Sequence, residues 1–294
     1  MLIRFFLILM MLVDSSRALS CASCGSGAGN PLVFSPAENH KVYLGLGSDR
    51  GFENITSGGR VSSNSNLDQR IRSEFSYGYR MTDKLIAAFN LRYQRHNLGN
   101  RSKLGFADPT LMARYDLLMP SLAQPFKPQI QMIMGYLLPL GLASFESQDP
   151  NLLDAMGGGF HSFYLGVDLW WGMNQWIYGG NVLFQTSLPE EYHGLKMTPG
   201  NAFSFTLTGG YRVGKTKVVF GMNRKQKMEK VQNGVSIAMS SSLQHDGFLT
   251  FEVPVDLMSE FRVTFVQTSL YGMKQRMATR SQSLTLGWIH NFAN

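Results

Sequence analysis

Charged and polar side chains recur at every second position along apolar stretches of this chain, and that spacing gathers them onto one face. In residues 71–80, Arg72, Glu74 and Arg80 alternate with Ile71, Phe75, Tyr77 and Tyr79; in residues 85–94, Asn90 and Arg92 alternate with Leu85, Ala87, Phe89, Leu91 and Tyr93. A repeat of two belongs to a pleated strand and not to a helix. Later runs put Arg114 and Asp116, Asp168, Arg212, Lys217, Glu252, Asp256 and Arg262 on the equivalent face. Charges of both signs on one face of a curved sheet either pair into struts that close a narrow interior or line a wet, slightly cationic passage for a solute. On sequence both readings stand.

Nucleophilic chemistry has less support. A His that activates a Ser in the manner of outer-membrane phospholipases would stand in a His-x-Ser-Asn-Gly signature. His161 is followed by Ser162 and Phe163, and none of His40, His96, His193, His245 or His290 has Ser two places on. His161 is therefore expected at a loop-to-strand boundary, and no catalytic residue, cofactor or metal is assigned. The two cysteines, Cys21 and Cys24, form an isolated CxxC. Cys21 is a candidate lipid anchor because it follows a small residue at the end of a leader; the alternative is a local disulfide or a metal contact through Cys21 and Cys24.

The elements that must position the alternating charges are strands. A tilted strand of roughly 9–11 residues crosses a bilayer, and the runs have that length. The chain reads as about twelve such strands, joined by short turns at 81–83, 173–175, 213–215 and 256–260 and a proline-containing link at 119–128. Long polar loops are expected at 48–69, 96–104, 139–159, 186–200 and 223–247, with VSIAMSSSL inside the last as a hairpin-like extension. Short turns at one end, long loops at the other and an even strand number are the pattern of an all-β, antiparallel, up-and-down transmembrane barrel. Closure satisfies every backbone hydrogen bond in lipid and leaves no open edge. Tyr77, Tyr79, Trp171, Trp176, Tyr178, Tyr211, Phe261, Trp288 and Phe292 gather near the short turns, where an interfacial girdle belongs.

Composition agrees with export. Arg4, the apolar run 5–13 and Ala18-Leu19-Ser20 read as a secretory leader over 1–20. Residues 21–40, rich in Gly, Ser, Pro and Asn, read as a flexible periplasmic arm, and residues 41–294 as the barrel. A mean hydropathy of −0.09 and no later apolar run of roughly 20 residues exclude helical spans and point to the outer membrane of a Gram-negative cell. The formal charge of +7 does not imply nucleic acid in an exported chain. Basic residues at Arg224, Lys225, Lys227 and Lys230, and at Lys274, Arg276 and Arg280, are expected in outer loops, facing solvent or the phosphates of lipid and lipopolysaccharide.

Residues 105–118, GFADPTLMARYDLL, resemble the glycine-aspartate strand opening of the family called the MetA pathway of phenol degradation, regarded as outer-membrane solute channels. The resemblance implies a channel and carries over no binding residue. The expected function is a monomeric channel passing a small solute through a polar lumen; the alternatives are a closed structural or adhesive barrel and a membrane-embedded hydrolase.

Overall fold

Every strand expected from the alternation forms, and its polar neighbours lengthen several of them. The computed structural model describes residues 38–55, 61–119, 127–143, 146–149, 153–192, 194–237, 240–269 and 278–292. The leader and residues 21–37 of the arm, Cys21 and Cys24 among them, lie outside the described residues, as do Lys274 and Arg276; His40, expected in the arm, begins the first strand. The strands are β1 (His40–Ile55), β2 (Val61–Arg80), β3 (Leu85–Leu98), β4 (Arg101–Phe106), β5 (Thr110–Leu118), β6 (Gln129–Leu137), β7 (Ser162–Met173), β8 (Trp176–Ser187), β9 (Glu190–Tyr192), β10 (Leu195–Thr198), β11 (Ala202–Val213), β12 (Thr216–Lys227), β13 (Val231–Gln232), β14 (Val235–Ser236), β15 (Ser242–Pro254), β16 (Ser259–Ser269) and β17 (Ala278–Phe292).

Twelve of these make one closed antiparallel ring, in the order β2-β1-β17-β16-β15-β12-β11-β8-β7-β6-β5-β3, with β3 returning to β2. First and last strands meet in register from His40 opposite Phe292 to Ile55 opposite Ala278, with one irregularity near Gly51. β4 pairs with the outer half of β3, while β5 takes its inner half. β9, β10, β13 and β14 form a separate small sheet outside the ring. The VSIAMSSSL stretch contributes β14 to that sheet and the first residues of β15 to the barrel.

Three expected loops are corrected. Most of 48–69 is not loop: β1 and β2 stay paired out to Ile55 opposite Val61. Within 96–104, β4 folds back on β3. Arg224, Lys225 and Lys227 belong to β12 rather than to an outer loop. The cause is common to all three. A lipid-facing stretch needs an apolar side, whereas a strand projecting into water is held by backbone pairing alone and shows no apolar alternation.

The outward positions within the ring are apolar and exposed, among them Leu46, Leu111, Leu165, Leu207, Phe220 and Leu286. Aromatics edge the short-turn end of this band. Trp176 stacks on Tyr178 with centroids 6.3 Å apart and meets Tyr211 at 4.8 Å; on the opposite side of the ring Trp288, His290 and Phe292 form a second run. A ring with both rims at water and this belt between them fits a bilayer.

The short turns are capped locally. Thr82 Oγ1 accepts the Leu85 N–H at 3.0 Å. Asp256, expected in the lumen, stands exposed in the turn after β15, where its Oδ1 accepts the N–H groups of Met258 and Ser259, each at 2.7 Å. Charge beyond the last inward residue of a strand has no lumen to face, and an aspartate there is more useful as a turn acceptor. These bonds hold the Asp256 carboxyl below the usual carboxylate range, the Met258 N–H foremost. A depressed folded value means the cap stabilises above the unfolded value of about 4 and weakens as pH falls through the folded one. Unfolding midpoints followed below pH 4 should fall less steeply for Asp256→Asn, which keeps the acceptor and cannot titrate. Identical profiles would remove the turn carboxylate from the acid response.

Candidate functional site

Inside the ring the charges fall into three strut networks near the short turns and in mid-barrel. In the first, Glu74 Oε1 lies 3.0 Å from both Arg72 Nε and Arg92 Nε. Arg72 also meets Asp49 and donates to Ser283 and Thr285 at 3.0 and 2.7 Å, tying β2 to β17 across β1. In the second, Asp116 accepts from Gln129 and Gln131 at 3.1 and 2.7 Å and pairs with Arg80 at 3.4 Å, while Arg114 pairs with Asp168 at 3.4 Å. In the third, Glu252 lies 2.6 Å from Arg262 and 3.5 Å from Lys217, which also reaches Glu260. Arg114, Asp116, Asp168 and Glu252 are at most 1% exposed. Burying such groups costs free energy that the opposite charge offsets, and here both partners project from fixed strands.

Apolar side chains pack among these struts. Tyr43, Ile86, Ala88, Met112, Ile133 and Ile289 form one cluster; Trp170, Ile177, Val219, Phe248 and Val266 form another. The large rings do not project freely into the lumen, because each lies over a glycine of the neighbouring strand: Tyr164 over Gly135, Trp170 over Gly179, Phe248 over Gly221. The absent Cβ leaves room for the ring to lie against the wall. At Gly135 a Cβ would fall within the ring of Tyr164. Gly135→Ala should push that ring inward, narrow the lumen and cost about 1–3 kcal/mol. A lower unfolding midpoint together with reduced conductance would agree; neither changing would mean that the ring has another place to lie.

Toward the long-loop end the interior opens into a cavity of about 500 Å³. Its polar wall includes Asn90, Arg92, Asn181, Gln185, Thr206 and Lys225; its apolar wall includes Met112, Ile133, Leu137, Met156 and Leu183. Part of that wall is not strand. Asp108 accepts the N–H groups of Gly141 and Gly158 at 2.9 and 2.6 Å, and Gln94 donates to the Met156 carbonyl at 3.0 Å, so the segments around Gly141 and Gly157 are fastened to the ring beside β4. Gly141 and Gly157 approach so closely that a Cβ on either would strike the backbone of the other.

Of the residues singled out from sequence, Arg72, Glu74, Arg80, Asn90, Arg92, Arg114, Asp116, Asp168, Lys217, Glu252 and Arg262 have inward positions, and all but Asn90 enter the ion-pair networks. Asn90 donates to Ser76 at 2.6 Å. Arg212 is half-buried near the turn and makes no ion pair among the described residues. Sequence reasoning missed Glu260, Gln129 and Gln131 as strut members, although their alternation was visible. It also missed Asp108, whose partners are distant loop amides, and Lys225, which had been assigned to a loop. His161 and Ser162 do not meet as a dyad: His161 bonds Tyr136, and Ser162 Oγ lies 2.7 Å from Ser187 Oγ.

No protein-family model matches the chain, and no curated protein matches it in sequence. The resemblance of residues 105–118 to the MetA-pathway family therefore has no family match beside it. Among solved structures the chain is similar to the COG4313 outer membrane channel from Pseudomonas putida F1, with 13% identity over 91% of this chain and 99% of that one and a TM-score of 0.73. The NanC porin follows at 8% identity, 84% and 100% coverage and a TM-score of 0.49. The translocator domain of the autotransporter NalP from Neisseria meningitidis has 10% identity, 98% and 96% coverage and a TM-score of 0.48. At these identities what is shared is architecture, and the first comparison spans nearly the whole of both chains. The chain has the fold of an outer-membrane β-barrel.

Proposed function

We propose that this chain is a channel of the Gram-negative outer membrane that admits a small solute through its lumen. The observation that carries the reading is the cavity of about 500 Å³ inside a closed ring whose outer belt is apolar. A barrel serving only as a surface anchor has no use for a polar chamber walled by Asn181, Gln185 and Thr206, and packing it with apolar side chains would be more stable. Near the short turns the charges act as struts; toward the loops the Arg72–Glu74–Arg92 strut stands beside a wetted chamber. Solute entering from the loop side would pass the chamber and then the layer of struts.

The test is single-channel recording on the purified, refolded chain in planar bilayers. Steady, resolvable currents are expected. A correctly folded, heat-modifiable protein that stays silent would overturn the channel reading and favour the closed structural barrel.

A further inference from the structure

We propose that the loop-side cavity binds an organic monocarboxylate with a compact apolar body, its carboxylate held by Lys225. This rests on the channel reading above and names the solute class.

Lys225 projects from β12 into the cavity, with Ser204 and Gln244 as its cross-strand neighbours. The cavity's other cations, Arg92 and Arg114, have carboxylate partners in Glu74 and Asp168. Among the described residues Lys225 has none. Asp246, on the adjoining strand, keeps its charge near Lys225 but makes no ion pair with it; its oxygens accept from Gln244 at 2.9 and 3.0 Å and from Thr268 at 2.7 Å. Asp108, the one acid among the cavity's lining residues, is turned to the amides of Gly141 and Gly158. An ammonium group in a partly desolvated chamber with no carboxylate in contact leaves room for an anion.

The facing wall excludes a small inorganic anion as the best fit. Met112, Ile133, Leu137 and Leu183 present apolar surface that phosphate or sulfate would leave unused. A neutral solute would leave Lys225 without an ion pair, and a cation would set a second positive charge beside its ammonium. The volume lies within the range of small-molecule sites. One carboxylate on a compact hydrocarbon body satisfies the cation and the apolar wall together.

Three isosteric probes decide the matter by calorimetry on the folded barrel in detergent: cyclohexanecarboxylate, cyclohexylmethanol and cyclohexylmethylammonium. The carboxylate should bind saturably, with the alcohol and the ammonium each at least about tenfold weaker, as expected for loss of one charge-assisted hydrogen bond. Lys225→Gln should weaken the carboxylate by a similar factor, and Lys225→Arg should retain it. Equal affinities for the three probes, or no saturable binding of the carboxylate, would overturn the proposal. So would full affinity in a folded Lys225→Gln chain. Should Lys225→Gln fail to fold, the three probes on the native chain and on Lys225→Arg still decide. A chain that binds the carboxylate but carries no current would overturn the channel reading and leave this site standing. A conducting chain without carboxylate preference would overturn this site alone.

Discussion

Arg114→Met should destabilise the folded barrel by about 3–5 kcal/mol, the usual effect of stranding one member of a buried ion pair. Asp168 is completely buried, and Arg114, 3.4 Å away, is its one ion-pair partner among the described residues. Methionine has similar length and packs well, so the loss is electrostatic: a carboxylate left without a counter-charge must be protonated or hydrated. The double variant Arg114→Met with Asp168→Leu should recover most of the loss, because removing both charges also removes both desolvation costs. Equilibrium unfolding of the four chains in one detergent gives the coupling directly. If the double variant is as unstable as the single one, the damage is to packing and the strut interpretation of this pair fails. The result also separates function from architecture. Arg114 touches the cavity as well as Asp168, so the double variant can be stable and still have a weaker anion preference.

Leu91→Arg comes next in size, at about 2–4 kcal/mol for a charge at the lipid midplane. Leu91 lies on the outer face of β3 opposite Phe75, and Phe75 is exposed on the apolar belt. A guanidinium there either sits in hydrocarbon or drags water and headgroups toward it. Asn90→Arg, one residue away, turns the same charge into the polar cavity and should cost much less, although it breaks the bond to Ser76. Folding into lipid vesicles under graded urea measures both. Comparable costs would mean that the face facing outward in this ring does not meet hydrocarbon, and the membrane reading would fall with it.

How much of this was legible in the chain can be judged from particular residues. Glu74 and Arg72 are two positions apart on one strand, so their common face follows from the pleat, and so does the inward placement of Asp168 between Val167 and Leu169. Asp256 broke the pattern because alternation continues on paper past the end of a strand, while the backbone has already turned. Lys225 was misplaced for the opposite reason. Its neighbours Arg224 and Lys227 made the segment look like solvated loop, yet backbone pairing with β11 and β15 carries the strand on to Lys227. A polar strand end has no hydrophobic signal to reveal it.

By itself the sequence determined the twelve-strand architecture, the faces of the apolar-alternating stretches and the belt of aromatics, because these depend on a two-residue period and on turn chemistry within a few positions. Which charges meet was decided only by the tertiary structure. Arg72 reaches Ser283 from 211 positions away because β1 lies between β2 and β17. Asp108 finds its amides on loops that follow later in the chain. Among the described residues Lys225 makes no ion pair, and Asp246 on the adjoining strand takes its hydrogen bonds from Gln244 and Thr268. Ring closure and strand register bring these groups together, and pairing at that distance in sequence leaves no local signature.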